Sequence, residues 1–225
     1  MAHPGDHLHD LHRRTAPPHS PGGGLAVEAA LADHPLHDWD VAEAGVRALL
    51  RLAGRDPDEP GVALTPGRVL KAWLEQTGRP GDPQALLATQ FTDAPHYDEL
   101  IAVGPVAFAS VCEHHLLPFT GTAWVGYIPN GSGVVGLSKL ARLVEHFARQ
   151  PQIQERLTSQ VTDALVEHLN PKGAACVIRA THSCMTIRGV RAHGSVMTTS
   201  SMTGALRERP EARAEFMALV ALGGE

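Results

Sequence analysis

The sequence predicts an α+β fold, in which an antiparallel sheet carries helices on one face and further helices precede it. This prediction depends on a change of period near residue 99. Before that point apolar residues recur at helical spacing, and after it runs typical of strands begin near Ile101, Thr120 and Ala174. The order of elements is then strand, strand, helix, helix, strand, strand, helix, which indicates α+β and not alternating α/β.

Three helices are expected before the sheet. They span Asp38 or Asp40 to about Ala53, Thr65 to just before Gly78, and Pro83 to about Thr89. Gly54 is predicted to end the first helix, and Thr65 to cap the second with Pro66 in its first turn. We therefore divide the chain into a leader at 1–37, N-terminal helices at 38–95 and a core at 96–225.

The core has predicted strands and helices of ordinary length. One long strand or two joined strands lead from Ile101 into Cys112, and further strands are expected at Thr120–Ile128, Ala174–His182 and Val196–Met202, with a brief run at Val134–Val135. Ser138 is predicted to cap a helix through about Arg149, Pro151 to start another that Gly173 ends, and Pro210 to open a last helix to about Leu222.

Composition excludes several functional classes. The chain has 225 residues with a net charge of -5 and 4% aromatic residues, which argues against binding to nucleic acid. It shows neither an apolar run that would span a bilayer nor the pattern of a signal peptide. Three cysteines in such a chain indicate cytoplasmic thiols and not a disulfide framework.

The leader at 1–37 is rich in His, Pro and Gly and is predicted to be disordered. Its histidines are compatible with a tail that stores or delivers metal. They lack a fixed ligand spacing, so a solvated leader is the favoured interpretation.

Two short clusters contain the groups that bind zinc. Cys112 and His115 have the C-x-x-H spacing of two ligands on one turn, and Cys184 follows a predicted strand. If that strand lies beside the first, Cys184 is a third ligand, and three protein ligands leave the fourth position open as in catalytic zinc sites. His114 and His182 lie beside these ligands and are suited to proton transfer. The alternative is a chance C-x-x-H, a buried thiol at Cys184 and a core imidazole at His182.

Basic residues suggest a second part of the site. Lys139 and Arg142 lie at the start of a predicted helix beside Ser138, where backbone N–H groups also favour phosphate. Arg188 follows the second cluster, and Arg68 lies in the first turn of an earlier helix. Each alone is typical of a solvated surface charge, but together they suit a polyphosphate.

Glu155 is the acidic candidate. A carboxylate accepts two hydrogen bonds from the ring N–H and the exocyclic amine of guanine, a donor pair that adenine does not offer. From the residues alone, an ordinary exposed helix glutamate is the stronger interpretation.

Several long motifs in one order resemble GTP cyclohydrolase I from about residue 39 to the C-terminus. They are CEHHLLPF from Cys112, GYIPNG from Gly126, GLSKLAR from Gly136, QIQERLT from Gln152, HSCM from His182 with Arg188-Gly189, and MTTS from Met197.

The resemblance implies an enzyme that hydrolyses GTP to 7,8-dihydroneopterin triphosphate and formate, at the head of folate, tetrahydrobiopterin or deazapurine routes. It implies the tunnelling fold, in which sheets of several subunits form a barrel. The expected assembly is a toroidal homodecamer of two pentamers, with active sites between subunits.

The family's functional positions are all occupied by the expected residue types. The resemblance implies zinc ligands at Cys112, His115 and Cys184, catalytic histidines at His114 and His182, a guanine anchor at Glu155 with Gln154 beside it, ribose contact near Ser138, and triphosphate binding by Arg68, Lys139, Arg142 and Arg188. It assigns no role to Glu113, which is left as a local support.

Two rival hypotheses remain at this point. Another tunnelling-fold enzyme acting on a pterin or deazapurine would use a histidine-only zinc site or a cysteine nucleophile without zinc, which the Cys-His-Cys set disfavours. A structural zinc module would need a fourth protein ligand, and the sequence offers no convincing one.

Overall fold

The computed structural model describes residues 36–78, 81–92 and 97–223. The chain divides into two units, Met1–Glu75 and Gln76–Glu225. The predicted leader lies outside the described residues except for its last two positions, 36 and 37, which belong to the first helix.

The N-terminal unit contains the first two predicted helices. Helix α1 spans Leu36–Leu52, and helix α2 spans Thr65–Thr77 and continues two residues into the second unit. After α1 the chain reverses at Gly54, which has a φ of 77°. The predicted N-cap, Thr65, is instead the first helical residue.

The second unit contains seven strands and six helices among its described residues. They are α3 (Pro83–Leu87), β1 (Gln90–Phe91), β2 (Ile101–Cys112), β3 (Pro118–Ile128), β4 (Val134–Val135), α4 (Leu137–Ala148), β5 (Pro151–Gln152), α5 (Gln154–Leu169), β6 (Gly173–His182), α6 (Ser183–Thr186), β7 (Met197–Met202), α7 (Ala205–Glu208) and α8 (Pro210–Leu222). The predicted order is confirmed, and the additions are the short elements β1, β5, α6 and α7.

The main sheet has five strands in the order β5-β2-β3-β6-β7, and β1 pairs with β4 separately. All neighbours in the main sheet are antiparallel except β5, which runs parallel to the end of β2. The long strand β2 is continuous, with a register shift between Val103 and Val106. The antiparallel prediction is therefore correct for the four long strands.

Helices cover both faces of the sheet, so the prediction of one covered face is wrong. Alternate residues of a strand point to opposite faces. On one face Val125 and Cys176 pack with residues of α3, α4 and α5, and on the other Trp124 and Val177 pack with Phe216 and other residues of α7 and α8. Strands β3 and β6 have apolar residues on both faces. The helices α7 and α8 shield the second set of these residues from water, which stabilises the fold.

Two predicted helix starts and one predicted end are also wrong. Gly136, and not Ser138, occupies the N-cap of α4, and no side chain caps this helix. Pro151 does not begin α5, because Pro151 and Gln152 pair with Val111 and Cys112 as a strand. This helix ends at Leu169, where Asn170 takes a left-handed conformation with a φ of 45°, and Gly173 already belongs to β6.

Among residues 36–78, 81–92 and 97–223, no helix is long and apolar enough to cross a membrane.

Candidate metal and catalytic site

The site begins in the tight loop between β2 and β3. The N–H of Cys112 donates to the carbonyl of Leu117 at 2.8 Å, and the N–H of Leu116 donates to the carbonyl of Cys112 at 2.8 Å. Leu116 adopts a left-handed φ of 54°, which lets the chain turn back within a few residues. These bonds bring the side chain of His115 over Cys112, with Nδ1 at 3.9 Å from the Cys112 Sγ.

Strand register brings the second cluster to this loop. Phe119 of β3 is paired with His182 at the end of β6, and the one-turn helix α6 places Cys184 immediately beyond. The ligand atoms of Cys112, His115 and Cys184 lie within 4.8 Å of one another. The structure thus brings together two segments about seventy residues apart in the sequence.

The distance between the Cys112 and His115 ligand atoms fits a tetrahedral metal. With Zn–S of about 2.3 Å and Zn–N of about 2.0 Å, a sulfur and a nitrogen on one zinc are separated by about 3.6 Å. The 3.9 Å between Cys112 Sγ and His115 Nδ1 is close to that value. Two sulfurs and an imidazole are soft to borderline donors, the set that zinc prefers to magnesium or calcium.

The electrostatics of the thiols also favour a cation. Burial, and then the adjacent Cys112 thiol, raise the pKa of Cys184, while Arg188 acts in the opposite direction. Two neighbouring thiolates repel each other, and a divalent cation between them removes that repulsion. A metal would therefore stabilise the thiolate form that this geometry otherwise disfavours.

His182 is held on two sides. Its ring stacks on Phe119 with centroids 4.4 Å apart and planes 4° from parallel. Its Nε2 lies 2.8 Å from Oε1 of Gln154. Partial burial lowers the pKa of His182, and the carboxylate of Glu155 opposes that shift. At neutral pH the ring is therefore biased towards its neutral form, in which one nitrogen accepts a proton.

His114 is more exposed and lies between the metal ligands and an acid. Its Nδ1 is 4.0 Å from the Cys112 Sγ, and its Nε2 is 3.9 Å from Oε1 of Glu113. Glu113 in turn forms an ion pair with Arg156, and Arg156 Nε donates to Oε1 of Gln152 at 2.9 Å. The ion pair ties the loop to the first turn of α5, which gives Glu113 the structural role that the sequence left unassigned.

Glu155 and Gln154 begin helix α5 and differ sharply in exposure. Glu155 is exposed, close enough to His182 to influence it electrostatically. Gln154 is 1% exposed and makes all its side-chain hydrogen bonds to protein groups. The carboxylate is therefore accessible to a ligand next to the metal cluster.

The predicted phosphate-binding residues fall into three places. Ser138, Lys139 and Arg142 lie in the first two turns of α4, and Arg188 follows α6 and acts on Cys184. Arg68 lies on α2 in the N-terminal unit. Among the described residues, no carboxylate forms an ion pair with Lys139, Arg142 or Arg188. These three cations are thus uncompensated by the protein within the region that the structure describes.

Two residues of the site, Phe119 and Arg156, are not predicted from the sequence motifs. Phe119 is 1% exposed and is the surface on which His182 rests, and Arg156 pairs with an acid 43 residues earlier in the chain. Local spacing carries no signal for such distant pairs. Only an alignment of β3 with β6 could have predicted the contact between Phe119 and His182, because that alignment pairs the two residues.

The cluster combines three residues that could hold a metal ion with two neighbouring imidazoles and an accessible carboxylate. This set suits hydrolysis of a polar carbon–nitrogen bond.

Comparison with known proteins agrees with that chemistry. The sequence model of the family described as GTP cyclohydrolase I matches residues 42–221. A "GTP cyclohydrolase 1" of Thermobifida fusca is 51% identical over 196 residues, covering 86% of this chain and 93% of that protein. Proteins of the same name from Mycolicibacterium paratuberculosis and Rhodopirellula baltica are each 47% identical, over 88% and 84% of this chain and 98% and 82% of their own lengths. Among solved structures, an archaeosine synthase QueF-like protein in the apo form aligns with 50% of this chain and 97% of its own chain. The TM-score is 0.38 and the sequence identity is 16%.

Proposed function

This chain belongs to the GTP cyclohydrolase I family, and from that premise we propose that it acts on GTP at a zinc ion held by Cys112, His115 and Cys184. It is an enzyme that converts GTP to 7,8-dihydroneopterin triphosphate with release of formate, the entry to folate and pterin synthesis. The observation that carries the zinc proposal is the approach of the three ligand atoms to within 4.8 Å of one another. When bound, zinc supplies an acidified water and polarises a carbonyl oxygen.

The histidines have the proton-transfer roles in this proposal. Opening the imidazole ring of guanine requires a proton at the departing ring nitrogen, and release of formate requires another. His114 lies beside Cys112 and His182 precedes Cys184 by two residues, and neither is needed as a ligand itself. His182 is the better-positioned group, because Phe119 and Gln154 restrict its ring while His114 is exposed.

The two ends of GTP are proposed to bind on either side of these histidines. Exposed Glu155 accepts two hydrogen bonds from guanine, with Gln154 beside it, while Lys139, Arg142 and Arg188 bind the triphosphate and Ser138 lies near the ribose. The absence of carboxylate partners for these three cations in the described chain supports an anionic ligand. Binding the remote ends of the substrate orients carbon 8 for attack.

We also propose the homodecamer of two pentamers, with sites shared between subunits, and a cytoplasmic location. Within the described residues, β7 pairs with β6 along one edge only, so its other edge is open to a further strand. The three cysteines are free thiols, in keeping with a reducing compartment. Analytical ultracentrifugation of the zinc-loaded protein tests the assembly.

Replacement of Glu155 tests the guanine anchor. Glu155→Ala is expected to weaken GTP binding by about 10- to 100-fold, because a hydrogen bond to a charged group contributes ~1.5–3 kcal/mol. Equilibrium binding of GTP to the zinc-loaded protein measures this effect. Zinc content is expected to stay at the wild-type level, since Glu155 is not a ligand.

The matched control is Glu167→Ala, which removes another exposed carboxylate from the same helix. It is expected to bind GTP as the wild type does. Equal binding by Glu155→Ala and Glu167→Ala would show that guanine is anchored elsewhere.

A further inference from the structure

Gln154 is a buried amide whose orientation is fixed by its surroundings. Its Nε2 lies 3.1 Å from each of three acceptors: the backbone carbonyls of Ile178 and Met197 and the hydroxyl oxygen of Thr199. A reversed amide would point its oxygen at two carbonyl oxygens, and neither of these has a hydrogen to donate. The nitrogen therefore faces the strands β6 and β7, and the oxygen faces His182.

Two threonines complete this assignment. The hydroxyl of Thr158 donates to the backbone carbonyl of Gln154 at 2.6 Å, and its oxygen lies 2.6 Å from the hydroxyl of Thr199. Because Thr158 has used its hydrogen, Thr199 donates to Thr158 and keeps a lone pair for the Gln154 amide. The two hydrogens of the Gln154 amide are then shared among three acceptors, and only this orientation of the amide offers them a donor.

The consequence falls on His182. The Oε1 of Gln154 can only accept a hydrogen bond. The hydrogen of the 2.8 Å contact must therefore lie on His182 Nε2. Stacking on Phe119 fixes the plane of the ring but not its rotation by a half-turn, which would exchange Nε2 for a carbon. The amide selects between these two ring positions. Among the described residues, His182 Nδ1 has no hydrogen-bond partner.

We infer that Gln154 is a positioning residue: its amide oxygen accepts a hydrogen bond from His182 Nε2, which holds the ring as the Nε2–H tautomer and leaves Nδ1 as the nitrogen available to the substrate. The inference rests on the proposed function for its catalytic consequence, but the tautomer itself is a property of the protein alone. Gln154 acts through His182 and needs no contact with the substrate for this role.

Histidine tautomers are measured directly by solid-state ¹⁵N NMR of the zinc-loaded full chain labelled in histidine. The signals of His182 are assigned by their loss in His182→Asn. At a pH about two units above the ordinary histidine pKa of ~6.5, wild-type His182 is expected to show a protonated Nε2 and an unprotonated Nδ1. A protonated Nδ1 in the wild type would overturn the inference, whatever the variants do.

Gln154→Met keeps the length of the side chain and removes the amide. It is expected to give a mixture of His182 tautomers and to lower kcat by about 10- to 100-fold, as for loss of part of a proton-transfer group. The KM for GTP is expected to change by less than about 2-fold, because the change acts on the chemical step and not on binding. An unaltered tautomer with a raised KM would show that Gln154 binds substrate instead.

Thr162→Val is the matched control. Thr162 is buried on the same helix and bonds to the hydroxyl of Ser201 on β7 at 2.6 Å, without contact to His182. The Thr162→Val variant loses a hydrogen bond between α5 and β7, as Gln154→Met does. It is nevertheless expected to keep the Nε2–H tautomer of His182 and the wild-type kcat. If Thr162→Val shifts the tautomer as Gln154→Met does, the effect is general loosening and the inference fails. A wild type that shows the Nε2–H tautomer and full zinc content but no activity on GTP would reject the proposed function and leave the tautomer assignment intact.

Discussion

Cys112→Ser and Cys184→Ser are each expected to abolish zinc binding and, with it, formate release. The three ligand atoms lie on two segments, the end of β2 with its loop and the helix α6, so loss of either thiolate leaves two ligands. A hydroxyl at these positions stays protonated and binds zinc poorly. Because loss of an outer-shell partner alone costs about 10- to 100-fold in metal affinity, loss of a ligand is expected to cost more than ~100-fold.

The measurements are zinc content by mass spectrometry and formate release from GTP. Cys176→Ala is the control, because Cys176 is a fully buried thiol on β6 that packs in the core and not in the metal cluster. It is expected to keep zinc and turnover at a cost of about 1 kcal/mol in stability. A serine variant with full zinc and full formate release would refute the ligand assignment.

His182→Ala is expected to keep its zinc and to lose about 10²- to 10⁴-fold in kcat, the range for removal of a positioned proton-transfer group. His114→Ala is expected to behave in the same way but with a smaller loss, because this ring is exposed and less restricted. Single-turnover ring opening and zinc content, measured on the same samples, separate loss of chemistry from loss of metal.

A histidine distant from the metal cluster provides the comparison. His168 lies in the last turn of α5, about 20 Å along the helix from Gln154. His168→Ala is expected to retain both zinc and turnover. Loss of zinc in His182→Ala would make His182 a ligand, which contradicts its proposed role.

The predictable part of the fold was the set of long elements. Strands β2, β3 and β6 have runs of apolar residues that end close to where the structure ends them, and the final helix from Pro210 to Leu222 agrees at both ends. Periodicity reports burial, and β3 and β6 are buried over most of their length, whereas β2 and the final helix expose many positions. It does not report what covers each face, which is why the helices on the second face were not foreseen.

Errors at the helix starts have a physical cause. Ser138 and Pro151 are residues that favour helix starts, but local preferences contribute only about 1 kcal/mol. Pairing of Pro151 and Gln152 with the end of β2 outweighs that preference and delays α5 to Gln154. This delay matters for the site, because it places Gln154 and Glu155 in the first turn, beside His182.

The proposed ligands Cys112 and His115 follow from their spacing, whereas Cys184 needs the assumption that two strands are neighbours. The structure places β3 between them, with β2 on one side and β6 on the other. The contacts around His182 could not be predicted from the sequence. His182 is held by Gln154, and the hydrogen-bond partners of Gln154 lie 24 to 45 residues away along the chain.

The pairing of Phe119 with His182 also sets an order of events during folding. A slip of one residue between β3 and β6 would send His182 to the other face of the sheet and displace Cys184 from Cys112. The complete ligand set therefore exists only after the β2–β3 hairpin has formed and β6 has joined it in register, which closes a loop of about sixty residues. We therefore expect uptake of the proposed zinc to be a late step that reports correct long-range pairing.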